Sequence, residues 1–166
     1  LDPYLLGLWL GDGTSTAGEI TSADPEVFEA FRTAGFDLGL PQRKSKATTR
    51  CAKGLITVLR GMGLYGNKHI PESYLRGSRA QRSALLCGLM DTEGSATKEG
   101  ACEFTTTSPA LRDGFCELVR SLGTVVNARE SRAKLNGRDC GPKWRMKFRP
   151  RETAFRLERK SSRQKP

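Results

Sequence analysis

The feature that most constrains this chain of 166 residues is that it resembles itself. Glu19-Ile20-Thr21-Ser22-Ala23-Asp24-Pro25 matches Glu103-Phe104-Thr105-Thr106-Thr107-Ser108-Pro109, an offset of 84 residues from Glu19 to Glu103. The match runs on through Phe31 with Phe115, Leu38 with Leu122 and Gly39 with Gly123. A repeated supersecondary unit has to share its core with its copy, because neither can bury its apolar face alone. Each copy reads as a short strand, Glu19 to Ser22 or Glu103 to Thr107, then a capping residue, Asp24 or Ser108. A proline follows at the first helical position, where the missing N–H costs nothing. An amphipathic helix then runs to a glycine suited to a left-handed cap.

A second matched pair precedes the strands. Asp2 and Pro3 open a helix over Tyr4–Asp12 that stops at Gly13. Ser78 and Gln81 form a capping box for another, Arg79–Glu93, which stops at Gly94. Both are mostly apolar on all sides, which predicts burial. Small residues recur four apart, Gly7 with Gly11 and Ala84 with Gly88, so the helices can meet backbone to backbone.

The rest reads as strands. Lys143, Arg145, Lys147 and Arg149 alternate with Trp144, Met146 and Phe148, giving one basic and one apolar face. Val125 to Leu135 supplies a partner strand that turns through Asn136-Gly137 into the basic one. A weaker alternation, Lys44, Lys46, Thr48 and Arg50, offers the equivalent basic surface in the first half. The expected architecture is α+β, a single domain over 1–166 with approximate two-fold symmetry between halves 1–77 and 78–166. Within it, one face of an antiparallel sheet is cationic.

Charge supports that picture. Lys and Arg number 28 against 18 Asp and Glu, a net +10, and from Lys143 onward ten bases face two acids. Such a surface attracts polyanions, although charge alone also serves simple solubility. The odd number of cysteines, five, contains no C-x-x-C pair, and His69 is the single histidine. That argues against a zinc site and for reduced thiols in an intracellular protein, in cytoplasm or nucleoid. No apolar run is long enough for a membrane span, and Leu1-Asp2-Pro3 is not the basic start of a signal peptide.

The chemistry lies where the acids sit. Helix C-termini carry unpaired carbonyls and negative dipole ends, so Asp12, Asp91 and Glu93 are each unfavourable there by up to about 1 kcal/mol. Acids at solvated turns are common one at a time. Here they recur at equivalent repeat positions, and a hard divalent cation such as Mg²⁺ would reverse the sign.

Leu5-Leu6-Gly7-Leu8-Trp9-Leu10-Gly11-Asp12-Gly13 and Leu86-Cys87-Gly88-Leu89-Met90-Asp91-Thr92-Glu93-Gly94 resemble the two signature motifs of the LAGLIDADG homing endonucleases. Lys68-His69-Ile70-Pro71 and Ala154-Phe155-Arg156-Leu157-Glu158-Arg159-Lys160 are similar to further blocks of the endonuclease domain carried within inteins. The resemblance covers essentially the whole chain. It implies two αββαββα-type halves with a concave antiparallel sheet that binds double-stranded DNA, acting as a monomer. It also implies a site-specific double-strand break by metal-dependent phosphodiester hydrolysis. Two or more Mg²⁺ ions, which Mn²⁺ can replace, would be held by Asp12 and Glu93 with the carbonyls of Gly11 and Thr92. Lys68 and Lys160 would assist the reaction. Lys44, Lys46, Arg50, Lys143, Arg145, Lys147 and Arg149 would contact DNA, and Gly7, Gly11, Ala84 and Gly88 would form the helix interface.

The chain departs from the pattern in three places. Leu10 replaces the first acid of motif one, whereas Asp91 keeps it in motif two and reads as structural. The second metal ligand is Glu93 in place of Asp. Splicing signatures are missing at Leu1 and at Arg163-Gln164-Lys165-Pro166. A DNA-binding regulator with a disabled metal site and an RNA maturase are the alternative readings of the same scaffold.

Overall fold

The computed structural model describes residues 1–165; Pro166 and the side chain of Lys44 lie outside the described part. The element order is α1 (Pro3–Asp12), β1 (Glu19–Ser22), α2 (Pro25–Thr33), β2 (Gln42–Lys44), β3 (Ala47–Cys51), α3 (Leu55–Gly61) and α4 (Glu72–Leu75). The second half runs α5 (Arg79–Glu93), β4 (Gly94–Ala96), β5 (Cys102–Thr106), α6 (Pro109–Ser121), β6 (Val126–Leu135), β7 (Arg138–Phe148) and α7 (Glu158–Ser161).

Helices α1 and α5 form the centre. Asp2 caps α1 by accepting from the Tyr4 and Leu5 N–H groups at 2.9 and 3.2 Å, and both hydrogen bonds of the Ser78–Gln81 capping box are present. Burial covers Tyr4 to Leu10 on one helix and Leu85 to Asp91 on the other. The first turn of α5 is exposed, so that helix is apolar all round only over its second half. The two axes approach as closely as backbones allow. A Cβ on Gly7 would lie 2.5 Å from the Leu85 carbonyl oxygen, and one on Gly88 would lie 2.2 Å from the Tyr4 carbonyl oxygen. A Cβ on Gly11 would lie 1.9 Å from Thr92 Oγ1. Ala84 is only half-buried against the same core, so the close pair is Gly7 with Gly88 and not Ala84 with a glycine.

Each half carries one antiparallel sheet, ordered β1-β3-β2 in the first and β4-β5-β7-β6 in the second. Phe115 of α6 seals the second sheet by stacking on Phe104 at 4.2 Å and meeting Phe148 edge-on at 5.6 Å. The β6–β7 hairpin turns through Asn136 and Gly137, both at positive φ, as the sequence leads one to expect. The halves are not identical. What is strand β4 in the second half shrinks to a single bridge, Gly13 to Ile20, in the first. Helix α2 is also shorter than α6, so the left-handed glycine after it is Gly35 and not Gly39, the sequence match of Gly123. Gly39 instead donates its N–H to the Cys51 carbonyl at 2.8 Å, beside the Leu38–Ala52 bridge. Nor does the Asp24 side chain cap its helix as Ser108 does; it pairs with Arg159 of α7 and ties the two halves together.

The run from Lys44 to Arg50 is not one strand. Ser45, at φ 62°, turns the chain into a tight β2–β3 hairpin, and Lys46 stands exposed on that turn. Among the described residues, no helix is long and apolar enough to cross a membrane.

Candidate metal centre and nucleic-acid interface

Close packing of α1 on α5 delivers both helix ends to one place. Asp12 closes α1 and Glu93 closes α5, and the two carboxylates interact directly. Burial, reinforced by the charge of Glu93, pushes the Asp12 carboxyl up to about 6, against the opposing pull of Lys160 and Lys68. Gly11 and Glu93 line one cleft with Leu10, Lys68 and the Thr105–Ser108 corner between β5 and α6.

The lysines hold matched posts. Lys68 Nζ donates to the Leu10 carbonyl at 3.1 Å and to that of Gly13, and it lies 5.0 Å from the centre of the Trp9 ring. Lys160 Nζ donates to the carbonyls of Met90, Asp91, Thr92 and Gly94 at 3.1, 2.8, 3.0 and 2.8 Å. Neither helix carries a base in its own last turn. Each imports one from a distant segment to cap its carbonyls, which relieves the dipole cost that the acids raise. Burial lowers Lys68 to about 8 despite Asp12 and Glu93, and lowers Lys160 as well, with Arg159 adding to the effect. Thr92 Oγ1 folds back onto the Gly88 and Leu89 carbonyls at 3.0 and 2.9 Å, while its own carbonyl, already accepting from Lys160, keeps a second lone pair.

Asp91 has a different task. It is 2% exposed and accepts from the Tyr4 hydroxyl at 2.8 Å, the Arg156 N–H at 3.1 Å and the Leu157 N–H at 3.2 Å. Its counterpart Leu10 is simply buried.

In the sheets, register assigns each basic residue to a face. Trp144, Met146 and Phe148 point into the core, leaving Lys143 half-exposed and Arg145, Lys147 and Arg149 exposed. Glu103 faces the same way, 4.0 Å from Arg145 and 3.8 Å from Lys147. Arg129 of β6 stands directly opposite Arg145, with Asn127 opposite Lys147 and Ser131 opposite Lys143. Sequence reasoning missed Arg129, because counting back from the Asn136-Gly137 turn skips the irregularity between Arg132 and Lys134. Like charges opposed across a ladder are unfavourable unless an anion sits between them.

In the first half Arg50 pairs with Ile20, whereas Thr49 pairs with Thr21. Glu103 and Thr105, the repeat partners of Glu19 and Thr21, lie on the cationic face of the second sheet. Arg50 therefore lies on the opposite face of its own sheet, where its Nε donates to the Gly39 carbonyl at 3.0 Å. A one-residue slip in the sequence alternation accounts for the difference. The backbone register of Lys44, opposite Ala47, belongs to the Thr49 face.

Comparison with known proteins finds relatives in sequence and in fold. A family model described as a LAGLIDADG-like domain matches residues 80–157. The second half of the chain is thus LAGLIDADG-like. Over 159 residues, 96% of this chain, there is 39% identity to the replicative DNA helicase DnaB of Mycobacterium intracellulare. A further relative, the homothallic switching endonuclease of Saccharomyces cerevisiae, is 29% identical over 80% of the chain. The chain spans 25% and 29% of the length of these two relatives. The same fold occurs in the homing endonuclease I-DmoI, seen as mesophilic variants (TM-score 0.58, 15% identity, 89% of this chain and 87% of that one). It occurs again in the complex of I-DmoI with DNA and Mn (TM-score 0.59, 16% identity, 89% and 88%).

Proposed function

We propose that this LAGLIDADG-like chain is a site-specific endonuclease that cuts both strands of duplex DNA in a reaction dependent on divalent metal. The observation that carries the reading is the joint placement of Asp12 and Glu93 at two touching helix ends, each end capped by an imported lysine. The donor set fits a hard cation. Glu93 makes ionisation of Asp12 costlier, and a divalent ion would relieve that cost, the two side chains offering carboxylate oxygens while both nearby lysines are engaged by carbonyls. Asp12 and Glu93 would hold Mg²⁺, with the Gly11 and Thr92 carbonyls as further oxygen donors. Complexes of I-DmoI are described with Mn, Ca and Mg, in support of divalent ions generally.

A bound divalent ion supplies Lewis acidity and a water more acidic than bulk. The chain supplies everything that positions it. The Gly7–Gly88 contact fixes where the two carboxylates stand. Lys68 and Lys160 hold the helix-end carbonyls in place and put positive charge where a phosphate would approach. Arg129, Lys143, Arg145 and Lys147 on one sheet, with Lys46 and the Lys44 position on the other, would follow the duplex by phosphate and base-edge contacts. Two complete half-sites in one chain support a monomeric enzyme.

An origin as an intein insertion is supported by the relatives. A similar sequence occupies 25% of a protein named a helicase and 29% of one named an endonuclease, as a mobile domain would.

Incubation with a random duplex library, Mg²⁺ present or chelated, followed by sequencing of the cut ends, tests the reading. A single recovered site with paired cuts, absent under EDTA, is the expected result. Duplex binding without any cutting would replace it with the regulator reading. Preference for structured RNA over duplex would replace it with the maturase reading.

A further inference from the structure

Helix α7, which carries Lys160, has four residues, far too few to hold a helical shape or a position by itself. Something outside it must fix where the Lys160 ammonium stands, and the structure shows what does. The Asp91 carboxylate, in the last turn of α5, accepts from the N–H groups of Arg156 and Leu157, the two residues that lead into α7. Tyr4 of α1 completes the arrangement from the other half. Its hydroxyl donates to Asp91 Oδ2 at 2.8 Å, and its ring lies 4.1 Å beneath the Arg156 guanidinium. One side chain of the first helix thus holds both the carboxylate and the segment that the carboxylate grips.

The arrangement runs in one direction only. Tyr4 stands three residues before the contact glycine Gly7; the residue at that place on α5 is Leu85, fully buried and unable to hydrogen-bond. Asp91 stands three residues after Gly88; the residue at that place on α1 is Leu10, also buried. Lys68 is held by other means, namely the Trp9 ring and a loop fastened where the Gly66 N–H donates to the Ser15 carbonyl at 2.7 Å. Nothing in the Lys68 anchorage touches Tyr4.

We infer that Tyr4, although it starts the first motif helix, is a positioning residue for the second half-site, acting through Asp91 and the Arg156–Leu157 backbone on Lys160. The inference rests on the proposed nuclease reading for its kinetic consequence, and on the geometry alone for its structural one. Because the two lysines serve pseudo-equivalent ends and the two DNA strands are antiparallel, each lysine is paired with one cut. Disturbing Tyr4 should therefore slow one strand and spare the other.

The variants are Tyr4→Phe, which removes only the hydroxyl and keeps the ring under Arg156, with Lys160→Met and Lys68→Met as references. The first readout is amide hydrogen exchange of the metal-free protein. Tyr4→Phe should speed exchange at Arg156 and Leu157 and leave the Asn67–Ile70 segment as in the parent. The second is single-turnover cutting of a duplex labelled separately on each strand. Loss of a hydrogen bond to a buried carboxylate predicts about tenfold slowing of one strand. That strand should be the one slowed by Lys160→Met, with nicked product accumulating, and Lys68→Met should favour the other. Equal slowing of both strands, slowing of the Lys68 strand, or unchanged exchange at Arg156 and Leu157 would overturn the inference. A parent protein that cuts neither strand but shows the exchange change would sink the nuclease reading and leave the anchoring role of Tyr4 standing.

Discussion

The first-half hairpin, β2–β3, has strands of three and five residues, whereas its counterpart β6–β7 has ten and eleven. At roughly 3.4 Å per residue the longer arm spans about 35 Å and the shorter about 17 Å. The helix ends, in contrast, match in kind, each with an acid, a glycine stop and a lysine on the terminal carbonyls. A constraint shared by both halves explains the contrast. Residues at the α1–α5 contact have to satisfy the opposite helix as well as their own, so neither copy can drift alone. The hairpins answer only to solvent and to a bound partner. Their lengths are free to diverge, and a duplex lying across both sheets would meet about twice as much of the second half as of the first.

The largest expected effect tests the likeness. Asp12→Asn and Glu93→Gln should each lower cutting by about 10²-fold or more while leaving duplex affinity in EDTA intact. One variant that cuts normally would show that the two ends are not functional equivalents. Next is the contact itself. Gly88→Ala forces a methyl against the Tyr4 carbonyl and should cost about 3 kcal/mol in a denaturant melt. A cost near zero would mean that the helices can separate and that the tips are not rigidly spaced.

The unlikeness is tested in the sheets. Replacing Lys143, Arg145 and Lys147 by serine should flatten the slope of log affinity against log salt by about 2–3, and replacing Lys46 by about 1 at most. Equal changes from the two sheets would remove the argument for unequal reading. The smallest effect concerns the Arg159–Asp24 pair. Asp24→Ala should lower stability by about 0.5 kcal/mol or less, since the Arg159 side chain is 56% exposed and screened by water.

Local rules made most of this fold legible. The caps Asp2, Ser78 and Ser108, the Asn136-Gly137 turn and the Trp144–Phe148 alternation all describe interactions within a few residues, and each stands where the chain announces it. The motif acids were legible because they recur at equivalent positions. What the sequence hid is relational. The face of Arg50 depends on which residue of β1 it pairs with, and Ser45 at positive φ breaks the run that would have put it elsewhere. The Arg129–Arg145 pair depends on an irregularity that shifts register by one. Asp24 looks like a helix cap until Arg159, remote in sequence, is brought to it. The clamp of Tyr4 on Asp91 and Arg156 joins three regions of the chain, and no spacing reveals it.

Main chain touching main chain at Gly7 and Gly88 has a consequence for anyone wishing to retarget such a molecule. On the proposed nuclease reading, the interval between two reacting centres would be written into the polypeptide itself, with no rotamer able to lengthen it. Exchanging strand residues can change which sequence is chosen, but the stagger between the nicks should travel unchanged into every redesigned descendant.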